Sequence, residues 1–367
     1  MNLTVIGIGR LGLCSALIFE KSGYNVLGVD ISQDYVNKLN QKNFKTKEPL
    51  LNEYLVNSKN FTATTSLNDG LEHSNYIFIL VDTPNGGGDN FYDHSKLSNL
   101  LVNINKYKPV DKNIVICSTV MPNYINNIAK MLLEDCKNVT INYNPEFIAQ
   151  GNIIYGLCNP DMVLIGTESN DVGNKLKDIY TKTTNNTPHF SIVGCLEAEI
   201  IKISVNGFIT TKLSYANMIS DVCDNCGANK DIVLNSIGKD SRIGNKYFNP
   251  GYSFGGPCFP RDTKALSKFI NSYNIKPIIS DASAEYNDYH IKFQAEQLLK
   301  QNNSKTYLFR DVAFKEDTIV PIIEESAKLK IAKYLVNKGK HVIIKDNIDT
   351  ILEVKKEYGN IFDYKSY

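Results

Sequence analysis

The chain opens with LTVIGIGRLGLCSALIFEKSG, an apolar run that breaks on glycines and continues as a helical pattern ending at Gly23. Gly7, Gly9 and Gly12 stand in the G-x-G-x-x-G spacing, and each needs its missing side chain for a different reason. The first permits the turn, the second lets a pyrophosphate approach the backbone, and the third lets helix and strand pack closely. Phosphates bound there meet a helix N-terminus, whose free amides and dipole favour negative charge. The spacing alone is a weak signal. Here it follows a strand, opens a helix and precedes a second apolar run, YNVLGVD, ending in Asp30. That carboxylate can accept hydrogen bonds from an adenine-ribose diol and repels a 2′-phosphate, so the turn predicts NAD over NADP. Two alternatives stay open on these residues: a structural glycine turn, and a methyltransferase binding adenosylmethionine.

The rhythm continues. NYIFILVDTP, KNIVICSTV and VTINYNPEF read as further buried strands, each running into a polar or proline-containing loop. Strands alternating with helices predict a parallel, doubly wound α/β sheet with ligands at the strands' carboxyl ends. From about Glu197 the pattern changes to EAEIIKISVNGFITTKLSYANMISDVCDNCGA, which predicts one long helix with a tolerated Gly207. A helix that apolar is buried between domains or against another subunit. TYLFRDVAF and SAKLKIAKYLVNKGKHVIIKD then return to α/β character. The expected organisation is a Rossmann-like domain over residues 1–195, a central helical region over 196–295 and a smaller, shortened α/β domain over 296–367.

A formal charge of +1 over 367 residues argues against general nucleic-acid or acidic-membrane binding, which needs a concentrated basic surface. No segment approaches the roughly 18 unbroken apolar residues of a membrane span. The start MNLTVIGIGRLG lacks the basic residues and long apolar core of a signal peptide. The expected compartment is the cytoplasm, where thiols stay reduced. Eight cysteines are scattered without a disulfide-scaffold rhythm. Cys223 and Cys226 form a C-x-x-C at the end of the long helical pattern, and no second pair or nearby histidine completes a zinc site. The five histidines are dispersed and read as surface or satisfied core side chains, so no metal is expected.

One cysteine stands apart. GGPCFPRD, Gly255 to Asp262, surrounds Cys258 with glycines and prolines and so cannot be a helix interior or a central strand. It is a shaped loop holding a thiol. The loop alone leaves packing, metal ligation, a disulfide and nucleophilic chemistry open, although the rest of the chain offers no evident partners for the first three.

GIGRLG with Asp30, LVDTP, CSTV, NPEFIAQG, EIIKISVN, DSRIGNKY, GYSFGGPCFPRDTKAL and VAFKEDT together resemble the UDP-glucose/GDP-mannose dehydrogenase family, in the family's order, over residues 1 to about 320. The resemblance implies NAD-dependent oxidation of the C6 alcohol of a nucleotide sugar to a carboxylate, with UDP-glucose to UDP-glucuronate the expected pair. A thiol traps the aldehyde of the first oxidation as a thiohemiacetal; the second leaves a thioester that water cleaves. By resemblance Cys258 is the nucleophile, and Lys202 and Asn206, four apart on one helix face, stabilise an oxyanion at C6. Asp262 positions water and moves protons, Glu146 assists hydrolysis, and Thr119 holds a water or substrate oxygen. Thr83, Thr119 and Arg261 join Gly7, Gly9, Gly12 and Asp30 as expected cofactor contacts. Glu146, Phe147, Lys202, Asn206, Tyr247, Phe254, Gly255, Phe314 and Lys315 are the expected substrate contacts. Arg242 is expected to reach a neighbouring subunit's substrate, which makes a homodimer functional. Singly, each has a bland alternative: a surface charge, a packing polar group, a core aromatic.

The sequence also departs from the family pattern. Gln150 stands where many members carry a second glutamate, so hydrolysis rests on Glu146 and Asp262. Tyr35 replaces a basic residue near the ribose, and Arg261 replaces a lysine, keeping charge but not shape. Glu324 stands where arginine is common, Asp311 and Val312 precede AFK without the usual glycine, and a further strand and helix are expected beyond the end. Rival readings are another nucleotide sugar (GDP-mannose or a UDP-N-acetylhexosamine), a β-hydroxyacid dehydrogenase, which has no need of the cysteine loop, and an inactive nucleotide-sugar-binding paralogue.

Overall fold

Strand β1 (Asn2–Ile6) is buried along all but its first residue, which is possible only with strands on both sides and helices on both faces. Leu3 and Val5 enter one apolar cluster and Ile6 the other. Thr4, also buried, donates its hydroxyl to the Gly70 carbonyl at 2.7 Å. The structure, a computed structural model, describes residues 1–148, 151–301, 305–315 and 321–367. They form two compact units, Met1–Lys202 and Ile203–Tyr367.

In the first unit β1 is joined by β2 (Asn25–Val29), β3 (Phe61–Thr64), β4 (Tyr76–Ile79), β5 (Asn113–Ile116), β6 (Thr140–Tyr143), β7 (Met162–Gly166) and β8 (His189–Val193). Their order is β3-β2-β1-β4-β5-β6-β7-β8. All neighbours run parallel except β6 and β7, which meet antiparallel through Tyr143 and Gly166. The chain reverses direction of travel across the sheet between β1 and β4, the crevice where doubly wound sheets bind ligands. The expected α/β doubly wound architecture is what forms.

The helix Cys195–Cys226 begins in the first unit and continues into the second. Gly207 is more than tolerated there: a Cβ would lie 2.4 Å from Cδ2 of Leu266, on the helix Phe259–Ser272. The second unit adds the helices Lys230–Gly238 and Ile278–Gln301 and a parallel sheet, β11-β10-β9, of β9 (Thr306–Arg310), β10 (His341–Asp346) and β11 (Asp363–Ser366). Its core includes Tyr307, Val312, Leu329, Leu335 and Ile344. Buried Asp346 accepts from the Val312 amide at 2.7 Å, and Ser326 donates to the Val312 carbonyl at 2.7 Å, so both backbone groups before the Phe314 turn are satisfied.

None of the eight cysteines is in a disulfide; Cys223 is buried and Cys226 exposed at the end of the long helix. Among the described residues no helix is long and apolar enough to cross a membrane. Asp346→Ala strands a buried amide and is expected to destabilise the protein by about 1–3 kcal/mol. Asp34→Ala, which removes an exposed helix-surface pair with Lys38, is expected to change stability by less than about 1 kcal/mol. Urea unfolding of the two variants checks this contrast.

Candidate active site

The glycine turn is set by close approach at two of its three positions. Gly7 has φ +85°, and a Cβ there would lie 2.8 Å from the Leu80 carbonyl oxygen. A Cβ on Gly12 would lie 2.0 Å from the carbonyl oxygen of Gly7 itself. Gly9, the N-cap of the helix Arg10–Lys21, is different: a Cβ there meets nothing within 4 Å. The protein needs the first and third glycines for its own packing, while at the second it leaves open space before a helix N-terminus. That is where a pyrophosphate would lie. Asp30 follows β2, and its carboxylate accepts from the Ser32 amide at 3.1 Å. Gly7, Gly9, Gly12 and Asp30 thus fit the NAD that the sequence predicts.

Tyr35 has a role of its own. Its hydroxyl donates to the Ile8 carbonyl at 2.8 Å, bracing the turn between two of its glycines, and its ring meets Phe44 edge-on. Burial, reinforced by the Asp30 charge, pushes its ionisation well above the ordinary phenol value. Thr83 donates to the Thr119 carbonyl at 2.7 Å and Ser118 to the Val81 carbonyl at 2.6 Å. These bonds tie together the segments leaving β4 and β5.

Beyond β6 the chain turns at Asn144 and Pro145 to present Glu146. Asn144 donates to the Leu164 carbonyl at 2.8 Å, which orients its amide oxygen to accept from Tyr180. The same phenol lies 3.2 Å from Oε1 of Glu146. Burial pushes the Glu146 carboxyl up to about 7, with Tyr180 and Lys202 acting in the opposite direction. Lys202, itself buried, donates to the Glu146 carbonyl at 2.6 Å and stands 4.4 Å from the centre of the Phe147 ring. Gln150 lies outside the described residues. Tyr180 carries no mark in the sequence; it comes from the helix Asn170–Thr183, and only tertiary folding brings it to Glu146.

In the second unit, Cys258 is exposed and forms the N-cap of the helix Phe259–Ser272, where amide dipoles favour negative charge. Its carbonyl accepts from the Asp262 amide at 2.8 Å. Asp262 is buried; Asn206 donates to its Oδ2 at 2.6 Å and Arg261 to its Oδ1 at 3.2 Å. Lys202 and Asn206 lie one turn apart on Cys195–Cys226. The two glycines before the cysteine are gripped from later in the chain. A Cβ on Gly255 would lie 2.2 Å from the Glu325 carbonyl oxygen, and one on Gly256, at φ +79°, would lie 2.5 Å from the Phe314 ring. Gly256 also donates to the Glu324 carbonyl at 3.0 Å. Glu324 is pushed up by burial and pulled back by Arg261.

The other expected contacts are more dispersed. Phe254 is buried, its amide and carbonyl both bonded by Asn287, at 2.8 and 3.0 Å. Tyr247 is half exposed at φ +59° and meets Phe259 edge-on. Lys315 is exposed. Arg242 extends into solvent, paired with Asp240 at 2.7 Å.

Residues 1–184 match the UDP-glucose/GDP-mannose dehydrogenase family NAD binding domain, and residues 196–289 match the same family's central domain. The chain is 30% identical over 356 residues to a UDP-glucose 6-dehydrogenase of Rickettsia bellii, covering 93% of this chain and 80% of that protein. A solved UDP-glucose dehydrogenase from the archaeon Pyrobaculum islandicum superposes with TM-score 0.89 at 25% identity, over 99% of this chain and 85% of its own. A UDP-D-ManNAc dehydrogenase from Pyrococcus horikoshii shares the fold, with TM-score 0.80 at 23% identity, over 94% of this chain and 83% of its own.

Gly12→Ala is expected to destabilise the protein by about 1–3 kcal/mol through overpacking. Gly9→Ala is expected to leave the melting temperature unchanged and weaken NAD binding, a pairing that calorimetry and NAD titration together resolve. Glu146 has a second signature. Its carboxyl holds a proton up to about 7 in the folded protein, against about 4.3 when unfolded. Between those values the unfolded chain has already released the proton, so the folded state loses stability as pH rises through the window. Glu199, also raised to about 7 by burial, contributes with the same sign. Glu146→Gln should therefore make the slope of stability against pH shallower without abolishing it, as urea unfolding from pH 4.5 to 8 would record.

Proposed function

The chain belongs to the UDP-glucose/GDP-mannose dehydrogenase family of NAD-dependent nucleotide-sugar oxidoreductases, and from that premise we propose that it oxidises the C6 alcohol of UDP-glucose to the carboxylate of UDP-glucuronate. One observation carries the reading: Cys258 caps a helix whose first turn holds Asp262, buried and bonded to Asn206. A dehydrogenase that stops at one oxidation has no use for a thiol held in this way. The names of the Rickettsia and Pyrobaculum relatives favour the glucose derivative, while the Pyrococcus fold relative keeps a UDP-N-acetylhexosamine in view.

When bound, NAD supplies the hydride acceptor for each of two oxidations. Gly9 gives the pyrophosphate room, Asp30 accepts from the ribose hydroxyls, and Thr83, Thr119 and Arg261 are the remaining proposed cofactor contacts. The protein's own part begins with Lys202 and Asn206, which donate to the C6 oxygen as it gains charge. One N–H of Asn206 is held by Asp262, which fixes the amide plane and leaves the other N–H for the substrate oxygen in this reading. The Cys258 sulfur adds to the aldehyde carbon: a C–S bond forms, the C=O π pair moves onto oxygen, and the thiol proton passes to that oxygen, giving a thiohemiacetal whose oxygen meets the same donors. After the second oxidation a water held by Thr119 and Asp262 attacks the thioester carbon, and the C–S bond breaks to return the thiolate. Glu146, poised near neutrality, takes the proton from that water. Phe147, Tyr247, Phe254, Gly255, Phe314 and Lys315 form the proposed nucleotide-sugar surface. Arg242, solvent-directed in one chain, would complete the site of a second copy in a homodimer.

Incubation with UDP-glucose, GDP-mannose and UDP-N-acetylhexosamines should yield two NADH per sugar with UDP-glucose, and a carboxylate product by mass spectrometry. Cys258→Ser should lose the complete oxidation. One NADH per turnover with accumulating aldehyde, or full activity in that variant, would overturn the mechanism.

A further inference from the structure

His290 lies in the helix Ile278–Gln301, buried, with both ring nitrogens engaged. Nδ1 is 2.8 Å from Oδ2 of Asp221, and Nε2 is 2.9 Å from the carbonyl oxygen of Gly251. A carbonyl only accepts, and a carboxylate that also accepts from Tyr286 at 2.7 Å only accepts. With Asp221 ionised both ring nitrogens donate, and only the two-proton imidazolium can do so. Burial of that carboxylate bears on the same pairing. Asp221 is buried and its other oxygen, Oδ1, has no hydrogen-bond partner. A carboxylate desolvated to that degree needs a cation beside it. The titratable groups facing the ring are Asp221 from the helix Cys195–Cys226 and Tyr286 from the ring's own helix, whose plane lies 20° from that of the imidazole.

What the ring holds is the approach to the cysteine loop. Gly251 donates to Asn217 at 3.3 Å, and its carbonyl also accepts from Gln294 at 3.0 Å. Ser253 and Phe254 are bonded by Asn287, and the chain then enters Gly255, Gly256, Pro257 and Cys258. Polar side chains of two helices thus hold the backbone just before the thiol, and His290 is the imidazole among them.

We propose that Asp221 and His290 form a protonated clamp on the Gly251 carbonyl, with His290 a positioning residue for the Cys258 loop. Its bearing on catalysis rests on the dehydrogenase reading; its existence does not.

The test uses the full chain labelled with ¹⁵N-histidine, the His290 signals being identified by their absence in His290→Gln. The expected spectrum, at the pH where NADH formation is measured, shows protons on both ring nitrogens. A one-proton ring there would overturn the proposal. His290→Asn keeps a donor near the Nδ1 position and loses the one toward Gly251, whereas His290→Gln does the reverse. Hydrogen exchange of the 249–258 segment should quicken about tenfold in His290→Asn and less in His290→Gln, the effect of losing one bond from a charged donor. With the loop displaced, kcat should fall by a similar factor while the KM for NAD holds. Equal exchange and equal kcat in His290→Asn and the unaltered protein would sink the positioning role. If no nucleotide sugar yields NADH, the dehydrogenase reading falls, while the ring spectrum and the exchange rates still decide the clamp.

Discussion

An apolar helix can carry polar side chains into a core only where each finds a partner. The helix Cys195–Cys226 carries a row of them at three- and four-residue spacing, and every one is spoken for. Glu199 accepts the Asn123 and Ile125 amides, Lys202 donates to the Glu146 carbonyl, and Asn206 donates to Asp262. Thr210 meets Thr263, Ser214 donates to the Ser283 carbonyl, Asn217 donates to the Tyr252 carbonyl, and Asp221 takes His290. The stripe is a single face in the sense of helical periodicity. Each pairing ties the helix to a loop or to another helix within the same unit, Glu199 and Lys202 in the first and the rest in the second.

Much of this was legible in the sequence because it depends on local physics. Gly7, Gly9 and Gly12 announced the turn, the apolar runs around Ile6, Val29, Ile79 and Ile116 became β1, β2, β4 and β5, and the long apolar helix ran almost as read. GGPCFPRD is a loop only as far as Cys258; Phe259 to Asp262 form the first turn of the helix that Cys258 caps, where Pro260 is tolerated because its missing amide proton would have no partner there. The apolar run MVLIG, which became β7, was missed despite its burial, and two other missed strands have weaker signals. β3 is four residues long, and β8 lies at the sheet's edge with no fully buried residue. The antiparallel meeting of β6 and β7 is a property of topology, which no short window of residues contains.

The site shows the same division. The family resemblance singled out Cys258, Lys202, Asn206 and Asp262 as expected site residues, but not the side chains around them. Tyr180, Asn287 and His290 act from helices distant in sequence, and nothing beside them in the chain marks the contact. Tyr35 is the instructive departure. Set against the family pattern it reads as a lost ribose contact, yet its hydroxyl braces the Ile8 carbonyl, a function visible only once β1 and the helix after β2 are in place.

The grip on Gly255 and Gly256 has a consequence for the order in which the molecule can be finished. Their packing partners, Phe314 and the Glu325 carbonyl, come after the whole of the helix Ile278–Gln301. Contacts that span so much chain close slowly and late. A nascent chain on the ribosome can therefore fold the dinucleotide turn while its thiol loop still lacks the walls that shape it. The loop before Cys258 gains those walls only when synthesis has passed Glu325.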